Sequence, residues 1–314
     1  VPGFLEVRGL RKAYGSTVAV DGLELSIERG ECFGLLGPNG AGKSTTIAMI
    51  AGTLAPDAGE VLLAGARVGP RSFAAKQRIG YVPQDLALYE ELSARENLRF
   101  FGTLYGLHGS GLVEQIDLAL ALAGLSDRAG SIVGTFSGGM KRRLNIAAAL
   151  MHDPDFVILD EPTVGVDPQS RNLIFEALSE LLAQGKTILY TTHYMEEVER
   201  LCSRVAIMDG GRVIASGSLA ELQGFVASDQ LVLLRFRSLP ASLDGQLLAG
   251  VSGVISHKTD GASMTLELEE LSRDLPPLLT AISHQGIEIE EVKTIRPSLE
   301  EVFLKLTGRS LRDD

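Results

Sequence analysis

Gly37-Pro38-Asn39-Gly40-Ala41-Gly42-Lys43-Ser44-Thr45 follows the apolar run Cys32–Leu36 and precedes a helical pattern from Thr45 to Ile50. The order is strand, glycine-rich turn, helix. Glycines let backbone N–H groups turn inward around an anion, and the helix N-terminus adds the positive end of its dipole. Such a turn cradles phosphates. Lys43 can reach the β- and γ-phosphates of a nucleoside triphosphate, and the Ser44 hydroxyl can ligate Mg²⁺. Gly37, Asn39, Gly40, Gly42, Lys43, Ser44 and Thr45 are therefore the first candidate contacts.

The remainder of the chain bounds what that triphosphate serves. Apolar residues make up 45% of the 314, enough for an ordinary core, and with no Trp the packing falls to Leu, Val, Ile and Ala. A net charge of −11 speaks against a dedicated nucleic-acid binder, so no nucleic-acid partner is expected. Cys32 and Cys202 show no metal-ligand spacing and read as buried thiols of a reducing compartment. The opening residues lack a charged-then-apolar leader pattern. No apolar stretch approaches the roughly 18 residues of a spanning helix, so a membrane role is expected to fall to another chain.

Short apolar runs at Phe33–Leu36, Ile79–Val82, Phe156–Leu159, Thr187–Thr191 and Val205–Met208 alternate with helical patterns. This predicts an α/β fold with a largely parallel sheet. Phe4–Leu10 and Thr17–Ile27 read as strands joined by turns, hence an antiparallel sheet first. Between about 86 and 150 the strand signal lapses, and Arg95–Tyr105, Leu112–Ala123 and Met140–Met151 read as helices of an insert. In the last, Met140, Leu144, Ala147 and Met151 share a face. Ser218–Gln223 reads as a short helix stopped by Gly224. Beyond it the pattern predicts strands at Gln230–Arg237, Gly253–Lys258, Ser263–Leu268 and Ile287–Ile295, with helices at Pro276–Ser283 and Ser298–Leu306. Two domains are expected, 1–225 and a small α+β module at 226–314. Arg235, Arg237, His257 and Lys258 read as a solvated sheet face of that module.

In open α/β sheets ligands bind beyond the carboxyl ends of the strands. Polar residues stand at those ends: Gln84 after Ile79–Val82, Asp160 and Glu161 after Phe156–Leu159, His193 after Thr187–Thr192. Asp160 with Ser44 suits Mg²⁺, and Glu161 can orient or deprotonate an attacking water. Gln84 can offer its amide oxygen to metal or water. The bland alternatives are a turn cap for Asp160-Glu161, a loop residue for Gln84 and a structural role for His193. Ser137-Gly138-Gly139-Met140-Lys141 opens a helix and makes a second anion site or an ordinary N-cap, in which case Arg142 and Arg143 form a solvated face.

Taken in order, GPNGAGKST at 37–45, YVPQ at 81–84, SGGMK at 137–141, FVILDEP at 156–162, Val166-Asp167-Pro168 and His193 resemble the ATP-binding subunits of ABC transporters, over residues 4 to about 217. The family's usual Gln is Met140 here, which leaves a backbone site intact. The resemblance implies a P-loop ABC ATPase fold with an antiparallel β subdomain, a parallel-sheet core and a helical subdomain at about 86–150. It implies ATP and Mg²⁺ as cofactors, Tyr14 stacking on adenine (otherwise a strand-edge aromatic), and Glu161, Gln84 and His193 as catalytic residues. Ser44, Gln84 and Asp160 would hold the metal. Asp167 would lie in the loop crossing the subunit interface, and Ser137 and Gly139 would touch the γ-phosphate bound by the other copy of a head-to-tail homodimer. TFSGGMKRRLNIAAAL, EPTVGVDPQSR and the segment PSLEEVFLKLTGRSLRD are similar to type-2 exporter subunits, drug-resistance exporters among them.

By the same resemblance the chain is an ATPase whose dimer closes on ATP and drives export through a separate membrane-spanning permease, from a peripheral position on the cytoplasmic face of the membrane. A soluble ABC-type ATPase acting on ribosome or DNA, and an ATP-dependent assembly module without transport, are the alternatives.

Overall fold

A computed structural model describes residues 3–224, 231–237, 253–295 and 298–308. Strands β1 (Leu5–Tyr14) and β2 (Thr17–Ile27) form a hairpin. The chain then enters β3 (Cys32–Leu36) and α1 (Lys43–Ile50). Strands β4 (Ala58–Leu63) and β5 (Ala66–Val68) return to the hairpin and complete an antiparallel sheet in the order β2-β1-β4-β5. After α2 (Phe73–Lys76) comes β6 (Ile79–Val82).

Three helices follow without a strand: α3 (Ala94–Leu104), α4 (Gly109–Leu122) and α5 (Gly138–Ala149). They enclose their own core of Leu98, Ile116, Leu120, Leu144 and Met151. The face predicted for Met140, Leu144, Ala147 and Met151 is the one that packs here.

The chain returns to the sheet with β7 (Phe156–Asp160), α6 (Pro168–Ala183), β8 (Thr187–Thr191), α7 (Met195–Leu201), β9 (Arg204–Asp209) and β10 (Arg212–Ser218). The six-stranded sheet runs β10-β9-β3-β8-β7-β6, and all but β10 are parallel. Every residue of β3, β7 and β8 is buried, which is why these strands read as continuous apolar runs rather than alternating ones. A core of Leu5, Val7, Leu23, Phe33, Leu35, Ile47, Ile50, Phe156 and Leu189 joins the two sheets and α1. At eight residues α1 is too short to stand alone. Burial of Ile47 and Ile50, worth about 1.5–3 kcal/mol each, docks it.

The register positions the site. Leu35 pairs with Thr191, Thr191 with Asp160, and Leu159 with Val82. Gly37, Asp160, Glu161, His193 and Gln84 therefore leave the sheet at one edge, each within two residues of a paired position.

Contacts divide the chain into two units at Ser218/Leu219; the expected boundary at 225/226 falls outside the described residues. The second unit begins with α8 (Leu219–Gln223) and builds an antiparallel sheet ordered β12-β13-β11-β14 from β11 (Leu231–Phe236), β12 (Val254–Asp260), β13 (Ser263–Leu268) and β14 (Ile289–Ile295). Its helices are α9 (Leu271–His284) and α10 (Leu299–Thr307). Leu278 and Ile282 of α9 pack on Val232, Leu234, Phe236, Met264 and Leu266. The sequence pattern starts this helix at Pro276. Instead the helix starts five residues earlier, where Asp274 Oδ2 accepts the Glu270 N–H at 2.9 Å. The Ser298/Glu301 capping box of α10 is present on both sides. Gln230, Pro297 and the stretch from 309 onward, which belong to the C-terminal readings above, lie outside the described residues.

Candidate functional site

The glycine turn is fixed from below by β2. Gly42 caps α1 with φ +97°, and a Cβ there would collide with the Ala19 carbonyl. Only glycine gives both the backbone conformation and the clearance. The same β2 runs on from the Tyr14–Thr17 pair at the hairpin tip, so half-exposed Tyr14 stands at this end of the molecule. Lys43 is buried and donates to the carbonyls of Gly37 and Pro38 at 2.7 and 3.0 Å. Burial pushes its ammonium down, while Glu161 and Asp160 support the charged form. Asn39, Gly40 and Ser44 are exposed and Thr45 is half-buried.

Asp160 is buried at the end of β7, and burial pushes its carboxyl above the usual range; Thr191, Lys43 and Arg142 oppose that shift. Thr191 on β8 holds both acids. Its hydroxyl donates to Asp160 Oδ1 at 2.9 Å, and its carbonyl accepts the Glu161 N–H at 3.1 Å. Glu161 itself has φ +47°, a strained conformation for a residue with a side chain. The turn aims its Oε2 at His193 Nδ1, 3.3 Å away. Asp160, Glu161, Lys43 and His193 thus form one cluster at the carboxyl edge of the parallel sheet. Gln84 stands on the neighbouring strand's extension and is exposed.

Ser137 caps α5, its Oγ accepting the Met140 N–H at 3.2 Å. Gly139 packs so closely on Ser170 and Asp167 that a Cβ would clash with the Ser170 side chain. Asp167 caps α6 and accepts the Ser170 N–H at 2.9 Å, with Pro168 in the first turn. That bond holds the Asp167 carboxyl below the ordinary range. The two helix starts therefore approach each other across Gly139.

One sequence expectation is overturned: Arg142 and Arg143 are no solvated face. Arg142 is buried and donates to Pro83 and Gln84 carbonyls, and Arg143 donates to Ala123 and Gly124 carbonyls. Each guanidinium bridges from α5 to a neighbouring segment, which helical periodicity does not report. The cysteines are buried thiols as expected, and they meet in the core with their sulfurs 3.5 Å apart, a proximity their spacing in sequence does not announce. The C-terminal cations are exposed as expected, Arg235 beside Glu291 and Arg237 beside Glu288.

The sequence reading missed Thr191, Arg142 and Glu197. Thr191 carried a signal, a hydroxyl at the end of an apolar strand. Glu197 carried none. It is buried on α7, and its Oε2 accepts hydroxyl bonds from Thr163, Tyr190 and Thr192 at 2.9, 2.9 and 2.8 Å.

The glycine turn on β3, the acid pair on β7 and the helical insert define a P-loop nucleoside triphosphatase with an added three-helix unit. The ABC transporter family profile matches residues 20–164, and the profile of the "ATP-binding protein DrrA1-3-like, C-terminal domain" matches 217–307. The linearmycin resistance ATP-binding protein LnrL of Bacillus subtilis is 44% identical over 312 residues, covering 98% of this chain and 100% of that protein. The Nod factor export ATP-binding protein I of Cupriavidus pinatubonensis is 44% identical over 98% of this chain and 92% of its own length. Among solved structures, an ATP-binding subunit of an ABC transporter superposes with a TM-score of 0.65 at 34% identity, over 71% of this chain and 92% of that one. A post-hydrolysis dimer of the cassette MJ0796 with ADP and Pi gives 0.63 at 26%, over 68% and 98%. The chain belongs to the ABC transporter ATP-binding proteins, and it is an ABC-type ATPase.

Proposed function

We propose that this chain is the ATP-hydrolysing subunit of an exporter whose membrane-spanning permease is a separate chain, and that two copies close on ATP. Relatives that match over nearly the whole chain are named for linearmycin resistance and Nod factor export, which favours export of a drug, antibiotic, lipid or similar molecule. Among the described residues no helix is long and apolar enough to cross a membrane. The chain then works from the cytoplasmic face, held there by the permease.

In this reading the 37–45 turn and the start of α1 bind the triphosphate, Lys43 leaving its loop carbonyls for the β- and γ-phosphates, and Tyr14 stacks on adenine. Ser137 and Gly139 of one copy meet the γ-phosphate bound by the other. Glu161 orients and deprotonates the attacking water, and His193 fixes the Glu161 carboxylate and contacts the γ-phosphate. A hard cation suits the oxygens of Ser44, Asp160 and Gln84. Asp160, a buried carboxylate disfavoured in its charged form, has most to gain from one. Mg²⁺ there would neutralise phosphate charge. Among the described residues no three His, Cys, Asp or Glu gather into a cation site, so the nucleotide itself would complete the coordination.

The observation that carries the proposal is the Glu161–His193 pair, set at 3.3 Å beside Lys43 and Asp160. Glu161→Gln is expected to keep ATP affinity, slow hydrolysis about 10²–10⁴-fold, and accumulate a dimer with ATP. Parental turnover in that variant would remove Glu161 from the mechanism. Retention of the parental rate together with a monomer at saturating ATP would end the shared-site reading.

A further inference from the structure

Helix α5 carries more than Ser137 and Gly139 at its start. Within its first eight residues, Lys141, Arg142 and Asn145 reach one irregular segment, residues 83–90. Lys141 Nζ donates to Glu90 Oε1 at 2.6 Å, and Asn145 Oδ1 accepts the Ala87 N–H at 3.1 Å. Between them Arg142 spreads its guanidinium over two consecutive carbonyls, Nη1 to Pro83 at 3.1 Å and Nη2 to Gln84 at 2.7 Å. Gln84, Asp85, Leu86 and Ala87 are exposed and lie beyond the last residue of β6. Their placement therefore depends on what grips their backbone. Arg142 is 7% exposed, so the fork is not a mobile surface contact, and a planar five-donor group suits adjacent carbonyls as no ammonium does.

We propose that Arg142 is a positioning residue for Gln84: it fastens the Gln84 backbone to α5, so that the N-terminus bearing Ser137 and the Gln84 amide move as one piece. This rests on the reading of Gln84 as a ligand of metal or water. A copy docking on Ser137 would thereby set Gln84 in the first copy's site, through a chain of direct contacts rather than through distance alone. Asp85 and Asp160 both bear electrostatically on Arg142 and support its charge against burial.

The test is a double-mutant cycle in the full chain, with steady-state ATPase measured against both ATP and Mg²⁺ and ATP affinity measured by equilibrium binding. Gln84→Ala and Arg142→Met are each expected to lower kcat about tenfold and to raise the Mg²⁺ concentration for half-activity, with ATP affinity unchanged. The double variant should fall no further than Gln84→Ala alone. Arg142→Lys, with the charge but not the fork, should recover only part of the rate. If Arg142→Met does not fold, the lysine variant carries the same cycle. A parental kcat in both Arg142 variants, with Gln84→Ala impaired, overturns the proposal. So do losses that multiply in the double variant, since Arg142 would then act apart from Gln84. A parental kcat in Gln84→Ala instead removes the reading of Gln84, and the positioning role with it.

Discussion

Asp160 ends a strand that is buried along its whole length, and burial disfavours its charge. The folded carboxyl therefore binds its proton more tightly than the unfolded one. That contribution to stability is full below the ordinary carboxylate range and is lost as pH rises through the folded value. Asp160→Asn keeps an oxygen for the Thr191 hydroxyl and removes the charge. It should stabilise the nucleotide-free protein at neutral pH by about 0.5–2 kcal/mol, with the gain shrinking as pH falls through the raised folded value and gone below the ordinary carboxylate range. Denaturant melts at several pH values would read this, and a loss of stability at neutral pH would refute it. Gly139→Ala should act in the opposite direction. A methyl against Ser170 is expected to cost about 1–3 kcal/mol, visible in the same melts.

Elements differ in how openly the sequence declares them. The strands β3, β7 and β8 are legible because a strand buried on both faces needs an unbroken apolar run, and such runs end where the chain must turn polar. That rule places Asp160, Glu161, Gln84 and His193 at strand ends from the sequence alone. The edge they share depends on strand order, which no local pattern encodes. Helix α5 is legible as an apolar stripe and illegible as a clamp. Arg142 reaches the carbonyls of residues some sixty positions earlier, and long side chains fold back over such distances without disturbing periodicity. Glu197 of α7 is hidden for a related reason: its Oε2 gathers three hydroxyls from two segments, Thr163 after β7 and Tyr190 and Thr192 at the end of β8. It ties Thr163, two residues past Glu161, to Thr192, next to His193. Tyr190→Phe removes one of these donors and should lower stability by about 1–2 kcal/mol, while Glu197→Ala, which strands all three, should cost more and slow turnover as the Glu161 turn loosens. Equal melts for both variants and the parent would show that the carboxylate is not needed there.

For the whole molecule, the proposed partition of one site between two copies makes activity a function of association. Per-molecule ATPase should rise with protein concentration and saturate, and the plateau should be reached at lower concentration in the presence of a permease that holds two copies together. A specific rate independent of dilution would rule this out. The net charge of −11 adds repulsion between identical chains, which salt screens, so the half-maximal concentration should fall as ionic strength is raised. The C-terminal unit, with its own core beneath the β12-β13-β11-β14 sheet, gives a second body whose deletion can be assayed in the same dilution series.

Cys32 and Cys202, the chain's two cysteines, face each other at the base of β3, and both are shielded from solvent. The native protein consequently offers a quiet background to maleimide and nitroxide reagents. A single cysteine introduced at an exposed position, Phe73 for instance, would carry one spin label per chain, and pulsed dipolar spectroscopy could then follow two protomers approaching and parting through a catalytic round without removal of either native sulfur.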